Sequence, residues 1–208
     1  MSSFEARLHR TRRRARLVLH LGLDILTARA DARALTPAAF AAAAALAFLL
    51  RDPPPGWDAP LSLLLFAALA TIFLYDARWF VVPDGPVAVL ALTGLWRAAT
   101  QTGDAAGLIL AAGAAWAVFR GVDLLYAQLR GESGLGQGDA ILFGIAGLWL
   151  GFRGLPGCLL VAVGSALVGA LVLARQGRLG GGRDAIPFGP HLALGFWIGW
   201  AVGPLEIG

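Results

Sequence analysis

The sequence predicts an all-α protein, a polytopic transmembrane helical bundle of about seven spans, and three observations predict it. Of 208 residues, 58% are hydrophobic and 14% charged, so apolar surface exceeds what one soluble core needs to bury. The apolar residues come in long runs separated by short polar connections, the pattern of a chain whose solvent is lipid. The charge is unevenly placed: 17 Arg and no Lys stand against 13 acids, and eight of the Arg precede residue 34. Such a distribution fits membrane topology better than a nucleic-acid partner.

Residues 1–33 form a region of their own. Six Arg fall between Arg7 and Arg16, and the apolar stretch Leu17 to Leu26 is broken by His20 and Asp24. A cleaved signal peptide would want an unbroken apolar centre. A basic helix on the anionic cytoplasmic leaflet fits better, and a disordered tail stays open. Residues 34–208 then form the membrane domain, with apolar segments at 34–50, 59–75, 85–96, 105–127, 140–152, 154–174 and 185–205. Several are shorter than the roughly 20 residues that cross a hydrocarbon core of about 30 Å, so neighbouring polar residues must dip into the membrane.

Arg is retained on the cytoplasmic side, which keeps the amino terminus there together with Arg78, Arg130, Arg175, Arg178 and Arg183. The alternate connections, with Arg51, Arg97, Arg153, Asp52, Asp58 and Asp104, fall outside, as does Glu206. Cys158 stands alone inside an apolar run. It offers no disulfide framework and no paired thiols for zinc or redox chemistry, so neither metal nor cofactor is expected.

Acids near or within spans are costly and therefore informative, at about 2.5–3.5 kcal/mol on insertion scales. Asp76 closes the second run, at the carboxyl end of a helix, where a carboxylate opposes the helix dipole unless it has a partner or a task. Arg78 is a candidate partner. Asp84 precedes Gly85 and Pro86 and reads most simply as an N-cap. Asp139 ends the run Gly134-Leu135-Gly136-Gln137-Gly138 and opens the fifth segment, where it is either a cap or a working acid. Arg120 and Asp123, at i, i+3, neutralise each other.

Asp76 and Asp139 fall on the same predicted face, and both lead into short apolar segments. Each would sit in a shallow, water-reached cavity that suits a dyad in which two close carboxylates share one proton. Gly136 and Gly138 would let the backbone turn beside the acid and let an extended strand approach. Pro187 and Gly189 would break the seventh span nearby, although an ordinary helix start with Pro190 in its first turn is an equal reading. His191 reads as a packing or hydrogen-bonding residue.

Gly136-Gln137-Gly138-Asp139 is a G-x-G-D motif. Together with Asp76, the run Val82-Pro83-Asp84, Glu132, Leu148-Trp149-Leu150-Gly151, Ile186-Pro187-Phe188-Gly189-Pro190 and Leu192-Ala193-Leu194-Gly195, it resembles the peptidase domain of the type 4 prepilin peptidases over roughly residues 60–200. The resemblance implies a membrane aspartic protease of the bacterial inner membrane. It would remove the short basic leader of prepilins or pseudopilins at the cytoplasmic face, cutting after a glycine, with Asp76 and Asp139 catalytic and Glu132 supporting. Two departures stand out. Ile141 replaces a frequent Lys, and the Arg-rich segment with the lone Cys158 stands in place of the paired CxxC motifs of larger members. A peptidase without N-methyltransferase activity is the expectation.

Without metal, Ser or Cys, hydrolysis needs one carboxylate to activate water and one carboxylic acid to hydrogen bond the carbonyl. The helix dipoles would leave the charge on Asp139 and the shared proton on Asp76. Glu132 and Asp84 could draw a basic leader to the loop mouth, or be merely solvated. Another protease of the presenilin and signal peptide peptidase kind would also use a Tyr-Asp span and a glycine-aspartate motif. A small proton- or cation-coupled transporter would use the same buried acids, although two matched halves with broken helices are lacking. A homo-oligomer stays open.

Overall fold

The computed structural model describes residues 58–131, 134, 136–175, 177 and 187–203, and no strand occurs among these described residues. Among the described residues five helical elements follow one another: α1 (Ala59–Trp79), α2 (Asp84–Gln101), α3 (Ala105–Arg130), α4 (Gln137–Arg175) and α5 (Gly189–Val202). Of these, α1, α3 and α4 are long and apolar enough to cross a membrane. Region 1–33 and the expected span 34–50 lie outside the described residues.

Local chemistry sets the helix starts. Asp58 caps α1 by accepting the Leu61 N–H at 3.1 Å, and Asp104 caps α3 by accepting the Gly107 N–H at 3.0 Å. Both satisfy donors that a helix start leaves free. Asp84 does not cap α2 as expected. Pro83 occupies that position and Asp84 is the first helical residue, making no capping bond; it serves only as an acid in the first turn, where the dipole favours it.

Three segment boundaries move from their expected places. The run 85–96 belongs to an 18-residue helix that continues to Gln101, because Arg97 turns inward rather than into an outer connection. The run 185–205 contracts to the 14 residues of α5. The runs 140–152 and 154–174 share the 39-residue α4, which is interrupted at Gly151 with φ 64° and ψ −177°. At about 1.5 Å per residue an unbroken α4 would reach nearly twice a hydrocarbon core of about 30 Å. It folds back instead, at a residue whose positive φ glycine tolerates without a Cβ penalty.

The contacts of α5 show the reversal. Trp149, at the end of the first arm of α4, meets Trp200 near the end of α5, with ring centroids 5.3 Å apart. Past the bend, Gly195 packs on the Cys158 carbonyl, and Ser165 bonds His191 at 3.0 Å near the start of α5. The second arm therefore runs antiparallel to α5 and to the first arm. His191 takes the hydrogen-bonding role expected of it.

The first arm of α4 is buried at every position from Asp139 to Trp149 except Ile141, and α5 is buried from Leu192 to Trp197. Helices that are apolar on all sides belong at a bundle's centre. Around them, Leu92, Leu110, Leu129 and Leu160 point outward, as expected where the surrounding medium is itself apolar. Small residues bring the helices close. A Cβ at Gly147 would lie 2.6 Å from the Ala111 carbonyl oxygen, the kind of backbone approach that replaces a hydrophobic driving force in lipid.

Opposite the Asp139 end, polar bonds clasp the bundle. Arg97 Nη1 donates to the Trp149 carbonyl at 3.1 Å, with its guanidinium 4.7 Å from the Trp200 ring centre. Trp149 Nε1 donates to the Leu90 carbonyl at 2.9 Å, and Trp200 Nε1 donates to Ser62 Oγ at 3.0 Å. A cation spread over two aromatic faces and bonded to a helix-end carbonyl is well accommodated at this depth.

Candidate active site

At the other end of the bundle lie the acids. Asp76 stands in the last turn of α1 and is 5% exposed. Helix α1 stops three residues later at Trp79, and just beyond it the Phe80 N–H bonds the Asp76 carbonyl at 2.9 Å while Phe80 takes the left-handed conformation, φ 54°. That conformation costs a residue with a Cβ about 1–2 kcal/mol. Phe80→Gly is accordingly expected to stabilise the fold by about 1 kcal/mol, read as a higher thermal midpoint in detergent; a lower midpoint would mean that the ring's own contacts outweigh the backbone relief. Arg78 does not pair with Asp76 as the sequence suggested. Its guanidinium lies 5.2 Å from the Trp79 ring centre.

Asp139 stands in the first turn of α4 and is 8% exposed. Its N–H bonds the Gly136 carbonyl at 3.1 Å, and the Gly136 backbone in turn bonds its carboxylate. The remaining oxygen, Oδ1, is buried with no partner. A buried polar atom left unsatisfied costs about 1–3 kcal/mol and asks for an explanation.

Close approach through glycine joins the two acid-bearing segments. A Cβ at Gly138 would sit 2.8 Å from Val82 Cβ, so the glycine loop lies directly on the connection between α1 and α2. The Asp76 and Asp139 carboxylates are near enough to interact electrostatically. Gly189, the first residue of α5, completes the cluster. Its backbone bonds the Asp76 carboxylate, and an added Cβ there would lie 2.6 Å from Asp76 Oδ2.

One turn along the buried face from Asp139, Phe143 stacks on Phe119 at 4.2 Å, and Phe188 reaches the Phe119 ring at 6.2 Å. These rings set apolar surface one turn from Asp139 and next to Gly189. Arg120 and Asp123 form the expected i, i+3 ion pair at 2.8 Å, with Asp123 buried on the same α3.

Five of the sequence-chosen residues thus converge: Asp76, Asp139, Gly136, Gly138 and Gly189. Asp84 is exposed on α2 and takes no part in these contacts. Pro187 faces a groove beside the acids rather than the acids themselves. Glu132 lies outside the described residues. Val82 and Phe119 were missed. Apolar residues within apolar runs carry no distinguishing local signal, and their roles come from what packs against them.

The arrangement sets two buried carboxyl groups within each other's electrostatic reach, each bonded to a glycine backbone and one keeping an open oxygen. The model of the type IV leader peptidase family matches residues 63–174. The chain is 33% identical over 157 residues to a prepilin leader peptidase/N-methyltransferase of Aeromonas hydrophila, covering 69% of this chain and 50% of that protein. It is 35% identical over 151 residues to the protein of the same description in Pseudomonas aeruginosa, covering 68% and 49%. It is also 30% identical over 149 residues to the leader peptidase HopD of Escherichia coli, covering 66% and 91%. The chain therefore spans about half the length of the first two relatives and most of the third. No solved structure matches it. With the family model covering more than half of its length, and with apolar helices long enough to cross a bilayer more than once, this multi-pass membrane protein belongs to the type IV leader peptidase family.

Proposed function

We propose that the chain is an aspartic endopeptidase that removes the short basic leader of type IV prepilins or pseudopilins at the cytoplasmic face of the inner membrane. One observation carries the reading: two buried carboxyl groups 63 positions apart in sequence, Asp76 and Asp139, interact at one end of the bundle, and one of them keeps an unpartnered oxygen. A structural ion pair needs opposite charges, which two carboxyl groups cannot supply.

Peptide hydrolysis then divides between the two acids. Asp76 accepts the Gly189 backbone N–H, which holds its carboxyl group in place, and it acts as the base toward water. Asp139, with no donor on Oδ1, carries the shared proton and hydrogen bonds the scissile carbonyl. This reverses the assignment that helix dipoles alone suggest: each carboxyl group takes one glycine backbone bond, but the buried Asp139 Oδ1 has no donor to stabilise its charge. The pair titrates as a unit.

Residues 34–208 form the peptidase domain in this reading, crossing the bilayer about seven times with the Arg-rich segment 1–33 on the cytoplasmic surface. The support is the charge distribution of the sequence. Peptidase activity without N-methylation is supported by the single cysteine in 208 residues, which cannot supply paired CxxC motifs.

The test is incubation of the purified protein in detergent with a prepilin whose leader ends in glycine, with a methyl donor added. Release of the leader and an unmethylated mature amino terminus are expected, read by mass spectrometry. An intact prepilin after prolonged incubation would overturn the peptidase reading, and a methylated product would overturn the restriction to cleavage.

A further inference from the structure

The first turn of α5 has no cap of its own. Phe188, at the cap position, makes no side-chain bond, Pro190 has no N–H to give, and the N–H groups of His191 and Leu192 both bond the Phe188 carbonyl at 3.0 Å. Of the donors that a helix start leaves free, the Gly189 N–H is the one left over, and the Asp76 carboxylate takes it. Asp76 thus closes α5 from outside. The bond lasts only while the first turn of α5 stays against the end of α1.

His191 stands two residues past Gly189, about 200° around a helix of 3.6 residues per turn, and so on the side away from Asp76. There its ring meets the second arm of α4, with Nδ1 3.0 Å from Ser165 Oγ. The single hydroxyl hydrogen goes to the Ala162 carbonyl at 3.0 Å, so Nδ1–H donates and the hydroxyl oxygen accepts. One turn further on, a Cβ at Gly169 would stand 3.4 Å from His191 Cε1. Ser165 and Gly169 share one face of the arm, and the ring lies across it. The first turn of α5 is therefore held from opposite sides, by α1 at Gly189 and by α4 at His191.

We propose that His191 and Ser165 are positioning residues for the reaction: their bond fixes the first turn of α5 against α1 and so keeps the Gly189 N–H on the Asp76 carboxyl group. The inference rests on the peptidase reading above. A hydrogen bond in surroundings of low dielectric is stronger than in water, which suits this pair to hold one geometry. Its action on the acid passes through Gly189. A tie of the same kind exists at the far end of α5, where Trp200 Nε1 donates to Ser62 Oγ at 3.0 Å, and it offers a matched control away from the acids.

Ser165→Ala and His191→Leu each remove one partner, His191→Asn keeps an N–H at the δ position where the ring has one, and Ser62→Ala cuts the tie at the far end. Two quantities are measured for each: leader cleavage, and exchange of the Gly189 amide proton with solvent. The second is followed by NMR on protein carrying nitrogen-labelled glycine, with the signal assigned from its loss in Gly189→Ala. Ser165→Ala and His191→Leu are expected to exchange the Gly189 proton about tenfold faster or more and to lower kcat about tenfold or more with KM within about twofold, since misplacement of a catalytic group slows the chemical step. The double variant should match the single ones, because the two residues act through one bond. His191→Asn and Ser62→Ala should stay within about threefold of the unmodified protein in both measurements, even where Ser62→Ala lowers the thermal midpoint.

An unchanged Gly189 exchange rate in Ser165→Ala and His191→Leu overturns the proposal whether or not the protein cleaves. Equal loss of kcat in Ser62→Ala also overturns it, because any loosening of α5 would then suffice. So does a His191→Asn protein as slow as His191→Leu, or a raised KM with kcat intact, which would place the pair in substrate binding. Failure of the unmodified protein to cleave, with the exchange rates as expected, would remove the peptidase reading while upholding the hold of Ser165 and His191 on the Gly189 bond.

Discussion

Asp76→Asn and Asp139→Asn are each expected to lower leader cleavage by about 10³-fold or more, the upper part of what general acid–base groups contribute. The double variant should be scarcely worse than either single one, because the two groups act as a unit. The loss should be chemical rather than structural. An amide at position 76 can still turn its oxygen toward the Gly189 N–H, and an amide at position 139 gives up no bond at Oδ1, which has none. Thermal midpoints in detergent should therefore stay within a few degrees of the unmodified protein, while mass spectrometry of the prepilin shows no released leader. Cleavage within tenfold of normal by either single variant would take that residue out of the mechanism.

The second large effect is expected at a position that carries no chemistry of its own. Gly189→Ala would set a methyl group 2.6 Å from Asp76 Oδ2 and 2.8 Å from its carboxyl carbon. Ordinary contacts are longer than this, so either the carboxylate turns away or the start of α5 retreats, and each breaks the bond between them. Misplacement of a catalytic group by about 1 Å costs about 10²-fold in rate, and crowding of a packed interior costs about 1–3 kcal/mol. Turnover should fall by that order with a lowered thermal midpoint.

A double-mutant cycle separates the cause from general damage. In an Asp76→Ala background no carboxylate remains to collide with, so Gly189→Ala should destabilise far less there than in the unmodified protein. Gly113→Ala is the matching control on α3, since a Cβ at Gly113 meets nothing within 4 Å, and it should leave cleavage unchanged. Equal destabilisation by Gly189→Ala in both backgrounds would show that the glycine serves α5 and not the acid.

These two expectations differ in how they could be reached. The acids announce themselves along the chain: ionisable groups are rare in the apolar runs, and each of these stands at the border of one. Gly189 announces nothing comparable. It lies 113 positions from Asp76, and its requirement for no side chain comes from a contact between the start of one helix and the end of another. Arg97 is similar. Its position near an expected span end suggested an outer connection, but the faces of Trp149 and Trp200 and the Trp149 carbonyl draw it inward.

By itself, then, the sequence determined the helical class and the approximate apolar segments among the described residues, and it singled out two buried acids, because hydrophobic length, capping and the cost of burying charge act over a few neighbouring residues. Tertiary structure alone decided the rest: Gly151 as the reversal within α4, Pro83 rather than Asp84 at the helix start, Val82 under Gly138, and the bond from the Gly189 backbone to the Asp76 carboxylate. Those are contacts between surfaces distant in the chain, whose fit depends on where helices cross, and no local pattern encodes a crossing.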